Sequence, residues 1–257
     1  MILQELILKI EEKFPPDLAY SWDNIGLLAG DPNQEIKTVL VTLDINSAVA
    51  REAENISADL ILSHHPILMS GIKNVQLNTE NGKMLSILLK NNIAVYAAHT
   101  NLDVAPNGIN ARLASIFSLT NSEILADEQP GGAGLGRVGN LEREITLSEF
   151  AELCKTKLNT PAVRVCGDPD KKIKRIAIGS GGCSDYIPAA IAKKADVMLT
   201  ADMKYHTAID AVLDGIAVVD AGHYPTEIIV MDIFSSLLEE HGLKIIRSEN
   251  QDIFRFI

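Results

Sequence analysis

The sequence predicts an α/β fold made of two interlinked domains, and three observations carry that reading. Six short β-type runs alternate with helical patterns, the signature of β-α-β units and mainly parallel sheets. The six runs fall into two sets of three with matched spacing. The 257 residues, 47 % of them hydrophobic, are also enough to build real cores.

The elements follow in order. In MILQELILKIEEKFPP, residues Ile2, Leu3, Leu6, Ile7, Ile10 and Phe14 share one helical stripe, which Pro15 and Pro16 end. The interspersed acids and lysines argue against a signal peptide. SWDNIGLLAGDP holds the only tryptophan, and Asp23, Asn24 and Gly26 mark a turn there. Strands are expected at TVLVTLD (38–44), DLILSHH (59–65) and IAVYAAHT (93–100), then at RIAIGSGG (175–182), DVMLTAD (196–202) and IAVVDAGH (216–223). NGKMLSILLKNN is a helix between two of them. The middle segment, about residues 121 to 173, links the halves: EQPGGAGLGRVGNL reads as a loop, and ITLSEFAELCKTKL as a turn into a helix with Ser148 as N-cap. The last helix, TEIIVMDIFSSLLEEHG, is apolar on most sides and is expected to be buried. IIRSENQDIFRFI then adds a strand beside the first half.

The two sets of strands look like an internal duplication. KTVLVTLD at Lys37 matches KRIAIGSG at Lys174, and ADLILSHH at Ala58 matches ADVMLTAD at Ala195, each 21 residues later. IAVYAAH at Ile93 matches IAVVDAGH at Ile216, with one extra residue before the histidine. The expected division is a first domain over 1–125, completed by 226–257, and a second over 126–225.

A formal net charge of −11 with no Lys/Arg-rich block argues against a nucleic-acid partner. Three cysteines, Cys154, Cys166 and Cys183, show no C-x-x-C spacing and read as core thiols of a reducing compartment. No apolar run is long enough to span a bilayer, so no membrane partner and a cytoplasmic location are expected.

Of six histidines, four stand at the carboxyl ends of the expected strands: His64, His65, His99 and His223. In open α/β sheets, ligands bind beyond those ends. Asp103 follows His99 by four residues and Glu227 follows His223 by four, so each repeat offers an imidazole and a carboxylate. That donor set, without thiolate, suits a catalytic centre of two divalent ions, with zinc, manganese, iron, cobalt or nickel all compatible. Neighbouring side chains in a regular strand point to opposite faces, so the pair His64–His65 requires the chain to leave the strand there, and Pro66 restricts how it does so. Glu227 is expected in the first turn of the final helix, where the dipole favours an anion. Asp202 and His206 in DMKYHTAID, four apart, would face one side of a helix as orienting groups or proton carriers. His241 is a helix-end residue with no assigned role. Gly134, Gly136 and Gly139 spell G-x-G-x-x-G, but no strand precedes them and the dinucleotide reading fails on context, leaving a flexible hairpin in which Arg137 offers a charge to a phosphate.

SWDNIGLLAGD, LILSHHP, AAHTNLDVAPNGIN, GLGRVG, TADMKYH and DAGHYPTE occur in the order and at the intervals of the GTP cyclohydrolase I type 2 homologues, the NIF-three-like proteins, which the chain resembles over nearly its whole length. It departs from many members at Ala201, where they carry glycine. The resemblance implies two interlinked α/β domains, a dinuclear metal centre and a ring-shaped hexamer. His64, His65, Asp103, His223 and Glu227 are similar to the family's metal ligands, with Glu227 bridging and His99 nearby. It also implies a metal-dependent hydrolase opening a purine-type ring, GTP by the family name, with Arg137 and Lys204 as the cations at hand. A phosphoesterase or amidohydrolase suits two ions equally, and a non-enzymatic metal-binding adaptor is the remaining alternative.

Overall fold

The computed structural model describes residues 1–257. Its strands are β1 Gly26–Ala29, β2 Thr38–Thr42, β3 Leu60–Ser63, β4 Ala94–Ala97, β5 Thr120–Gln129, β6 Ala133–Thr146, β7 Arg164–Cys166, β8 Lys172–Ile178, β9 Val197–Thr200, β10 Ala217–Asp220 and β11 Lys244–Arg247. They form two mixed sheets, ordered β1-β4-β3-β2-β11 and β5-β6-β8-β9-β10-β7. Two compact units result, Met1–Leu102 with Val230–Gln251, and Asp103–Ile229 with Asp252–Ile257. The first boundary thus falls before the expected 125, because the helix Ile109–Ile116 packs on β6 and β8 of the second sheet. The second falls at Ile229/Val230 rather than 225/226, since the helix Val230–Glu239 packs on β2 and β11 while His223–Glu227 stays with the second unit.

In the first unit β11, β2, β3 and β4 run parallel, and β1 closes the edge antiparallel to β4. Strands β3 and β4 are buried along their whole length, so they read as unbroken apolar runs rather than alternating ones. One face packs on Leu40, Val49, Ala53, Ile61, Met84, Leu85, Leu88 and Val95. Each Val, Leu, Ile or Met among them contributes about 1.5–3 kcal/mol when fully buried. The N-terminal helix Leu3–Lys13 buries Leu3, Leu6, Ile7 and Ile10, with Phe14 behind them, as the stripe predicts for these five; Ile2 instead precedes the helix as its N-cap and is exposed. The final helix buries Val230, Met231, Phe234, Leu237 and Leu238, and β11 joins β2 in parallel register.

The second unit repeats the pattern with β8, β9 and β10 parallel and β7 antiparallel at the edge. The repeat extends to backbone detail. Asp59 accepts from the amides of Lys37 and Thr38 through one oxygen, and Asp196 does the same for Lys174 and Arg175, all at 2.8 Å. Left-handed residues end corresponding helices, Ser57 matching Lys194 and Asn92 matching Gly215. The amides one residue later bond back alike, Ala58 to Ala53 O and Ala195 to Ala190 O, Ile93 to Leu88 O and Ile216 to Ala211 O.

The middle segment differs from the sequence expectation. EQPGGAGLGRVGNL is a loop only at the turn Pro130–Gly132: Gly134, Gly136 and Gly139 lie on β6, which pairs with β5 on one side and β8 on the other. The close fit there needs missing side chains, since a Cβ on Gly136 would stand 2.7 Å from Ile178 O. The helix Leu147–Leu158 is capped by Thr146, not Ser148; Thr146 Oγ1 accepts from Glu149 N at 3.1 Å and the Glu149 carboxylate accepts from Thr146 N at 2.7 Å, a reciprocal capping box. No helix is long and apolar enough to cross a membrane.

Candidate metal centre

The first unit gathers three imidazoles. β3 ends at Ser63, and the next two amides bond to consecutive carbonyls of the neighbouring strand, His64 N to Thr42 O at 3.3 Å and His65 N to Leu43 O at 2.9 Å. A regular parallel ladder would skip a residue. Breaking it here brings both rings to one side, with centroids 5.0 Å apart. Ser63 Oγ locks the turn by donating to His65 O at 2.8 Å. His99, two residues beyond β4, places its ring 5.1 Å from that of His64 and 5.4 Å from that of His65. One ring nitrogen from each of the three lies within 4.8 Å of the others.

Each ring is held from behind. The Nδ1 atoms of His64, His65 and His99 are hydrogen-bonded to Ala98 O at 2.8 Å, Asp44 Oδ1 at 2.7 Å and Asp23 Oδ1 at 2.9 Å. A carbonyl or carboxylate at Nδ1 selects the tautomer with the proton there, leaving Nε2 as the lone-pair nitrogen. Burial would raise the Asp23 carboxyl, but hydrogen bonds from His99 and Thr100 outweigh it and hold it well below the usual carboxylate range.

The second unit gathers carboxylates and the fourth imidazole. His223 opens a short helix, His223–Glu227, so the two residues meet one turn apart with His223 Nε2 2.9 Å from Glu227 Oε2. An oxygen of Asp103 lies within 4.8 Å of one from Glu227. Asp103 Oδ1 also accepts a long bond from Ser180 Oγ at 3.4 Å, while Asn110 ties the region by donating to Asp103 O and accepting from Ser180 N. Glu227 sits over the backbone of Gly181, where a Cβ would be 2.1 Å from Oε1, so glycine is the one residue that leaves room. Gly181 N donates to Thr226 Oγ1 at 3.0 Å, tying that turn to the helix.

Asp202 is the orienting partner of His223, with Oδ2 2.7 Å from Nδ1. It does not share a helix with His206: Asp202 is left-handed at φ 54°, and the helix Tyr205–Leu213 starts after it, with His206 exposed against Tyr205. The bond to Glu227, opposed by burial and reinforced by Asp202, pushes His223 up to about 9. Buried Asp220 bonds Met203 N at 2.9 Å and Gly222 N at 3.0 Å and is paired with Arg164, fixing the two turns that carry Asp202 and His223.

Arg137 is buried, and its guanidinium donates to the carbonyls of Gly134 and Gly136 at 2.8 and 2.7 Å, with Pro106 O at 3.2 Å and Ala105 O at 3.4 Å; it holds the chain rather than a phosphate. Asp44 escaped notice because it stands 21 residues from its histidine, and Asp220 because an acid in a strand run carries no periodic signal. The turn chemistry of Asp23 concealed its bond to His99. The cysteines are free thiols; burial drives Cys154 and Cys183 well above the usual thiol range and so makes them poor thiolate ligands.

Comparison with known proteins agrees with this architecture. Residues 1–253 match the family model described as Duf34/NIF3 (NGG1p interacting factor 3). Two curated relatives, each called "GTP cyclohydrolase 1 type 2 homolog", come from Clostridium acetobutylicum, 36 % identical over 90 % of this chain and 87 % of the relative, and Clostridium perfringens, 35 % identical over 100 % of both. The crystal structure of a Staphylococcus aureus hypothetical protein superposes with a TM-score of 0.93 at 30 % identity, covering 100 % of this chain and 99 % of that one.

Proposed function

We propose, from the premise that this chain belongs to the Duf34/NIF3 family, that it is a metal-dependent hydrolase in which His64, His65, His99, Asp103, His223 and Glu227 hold two divalent ions. The observation that carries the reading is that all four histidines have Nδ1 fixed by a carbonyl or carboxylate, which is how proteins aim Nε2 at a metal. The donor set of imidazole nitrogen and carboxylate oxygen fits zinc, manganese, iron, cobalt or nickel. Paired ions bound there would supply a water acidic enough to attack at neutral pH.

The chain's own residues do the rest. Asp44, Asp23 and Asp202 orient His65, His99 and His223 and keep their ring protons on Nδ1. Asp202 is exposed at the mouth of its turn, where it can pass a proton to solvent, and His206, exposed in the first turn of the helix Tyr205–Leu213, is the second proton carrier. The proposed reaction is hydrolytic opening of a purine-type ring, with GTP as the substrate suggested by the relatives' names: one water adds at C8 and the C8–N9 bond breaks to leave a formamide on N7, then a second water breaks C8–N7, releasing C8 as formate and leaving an amine on the pyrimidine. The same reading carries a ring-shaped hexamer, for which the exposed stripe Tyr205, Ile209, Val212 and Leu213 offers apolar surface.

The test is formate release from GTP by metal-loaded protein, with Glu227→Ala as control. Turnover no greater than that control rejects the activity. Elemental analysis of protein purified without a histidine tag should find two ions per chain, and sedimentation velocity should find six chains per particle.

A further inference from the structure

The only tryptophan stands beside the histidine cluster, exposed yet held in place. Trp22 is 60 % exposed, although burying an indole is among the larger gains a fold can make. The turn that carries it is tied down on every side. Asp23 N donates to Tyr20 O at 3.0 Å, and Tyr20 N donates to Thr100 Oγ1 at 3.1 Å. The Asp23 carboxylate accepts from Asn24 N, Thr100 N, Thr100 Oγ1 and His99 Nδ1, all between 2.5 and 3.0 Å. Asn24 Nδ2 donates to Leu68 O, joining the turn to the segment just past His64–His65–Pro66.

The ring itself is placed with equal definition. It stacks on Tyr20, with centroids 5.8 Å apart and planes within 10°, and meets His99 edge-on at 6.2 Å and 77°. The ring is thus stacked on Tyr20 and crosses His99 at a steep angle, and more than half of the residue still stays open to solvent. A mobile surface tryptophan would need no such network, and a core tryptophan would not be exposed. An aromatic face fixed one ring away from three clustered imidazoles is preorganised to receive another flat ring.

We propose that Trp22, backed by Tyr20, is the stacking platform for the heteroaromatic ring of the substrate, placing that ring against the His64–His65–His99 cluster. This deepens the hydrolase reading and rests on it for the chemistry performed there. Of the two cations the sequence offered, Arg137 is committed to carbonyl oxygens and only the exposed Lys204 is left for a phosphate, so the ring carries the greater share of recognition. Stacking on an aromatic side chain is tolerant of base identity, so the platform recognises the class of planar heterocycles, and selection among them lies elsewhere.

Because Trp22 is the only tryptophan, its emission reports on its own face. Metal-loaded protein is titrated with each of the four ribonucleoside triphosphates, with guanosine, and with inorganic tripolyphosphate, which has the charge but no ring. Saturable quenching by at least one ring-bearing ligand and none by tripolyphosphate is expected. By calorimetry, Trp22→Ala should weaken ring-bearing ligands roughly tenfold to a hundredfold, and Trp22→Phe should restore most of that. Bound metal, measured by elemental analysis, should be equal in all three proteins. Unchanged affinity in Trp22→Ala, quenching by tripolyphosphate as strong as by nucleotides, or binding of no ring-bearing ligand overturns the platform. So does quenching that tracks protein concentration with matching self-association in sedimentation, which would make the turn a contact between copies. Failure of the hydrolase reading looks different: no bound metal, or ring binding that depends on Trp22 without formate release.

Discussion

Replacing Gly181 with alanine tests how the carboxylate side of the centre is built. The new Cβ would stand 2.1 Å from Glu227 Oε1 and 3.1 Å from both Glu227 Cδ and His223 Nε2. Ordinary contact begins at 3.4 Å, so Oε1 must retreat by about 1.3 Å. Metal–ligand distances tolerate only about 0.2 Å, so the displaced carboxylate leaves its coordination position. Backbone strain adds to this, because φ at Gly181 is +58° and a left-handed alanine costs about 1–2 kcal/mol. Gly215→Ala separates the two effects: its φ is +87°, yet a Cβ there meets nothing within 4 Å. Both variants should melt a few degrees lower, but only Gly181→Ala should lose metal, with affinity down at least about tenfold to a hundredfold. The assay is bound metal per chain after dialysis against graded chelator, alongside thermal melts. Wild-type metal content and affinity in Gly181→Ala would refute the argument that Glu227 needs the space above this glycine.

Four further outcomes follow from the same structure. Asp44→Ala should leave stability nearly unchanged, since Asp44 is half exposed, but release the His65 ring and lower metal affinity about tenfold to a hundredfold in the same chelator assay; an unchanged affinity would deny Asp44 its orienting role. With His223 raised to about 9 in the metal-free protein, its stabilising contribution is complete below the ordinary histidine value and fades as pH rises through about 9, so chelator-stripped protein should melt progressively lower across that window and His223→Asn should not share the decline. The same proton must leave before a cation binds, so metal affinity should climb with pH over the same range. Thr146→Ala removes the side-chain half of a capping box and should cost about 1 kcal/mol of stability without altering metal content; denaturant midpoints measure the first and elemental analysis the second.

Much of this protein is legible in its sequence because the relevant signals are local. The buried strands are apolar runs that no helix pattern disguises, the N-terminal stripe repeats at helical spacing, and the duplication shows as strings such as ADLILSHH and ADVMLTAD that fold with the same aspartate clamp and the same left-handed helix ends. Four histidines at strand ends stand out as candidate ligands by position alone. Tertiary structure decided what depends on pairing between distant segments. It turned a glycine-rich stretch into a strand, because β5 and β8 supply its hydrogen bonds, and it buried Arg137 against carbonyls that lie up to 32 residues away. It also chose the partners behind the imidazoles: Asp23 for His99 across 76 residues, Asp44 for His65 and Asp202 for His223 across 21 each. A side chain's type and spacing record what it can bond to, whereas the atom it does bond to is set by where the chain folds back, and no local pattern encodes that.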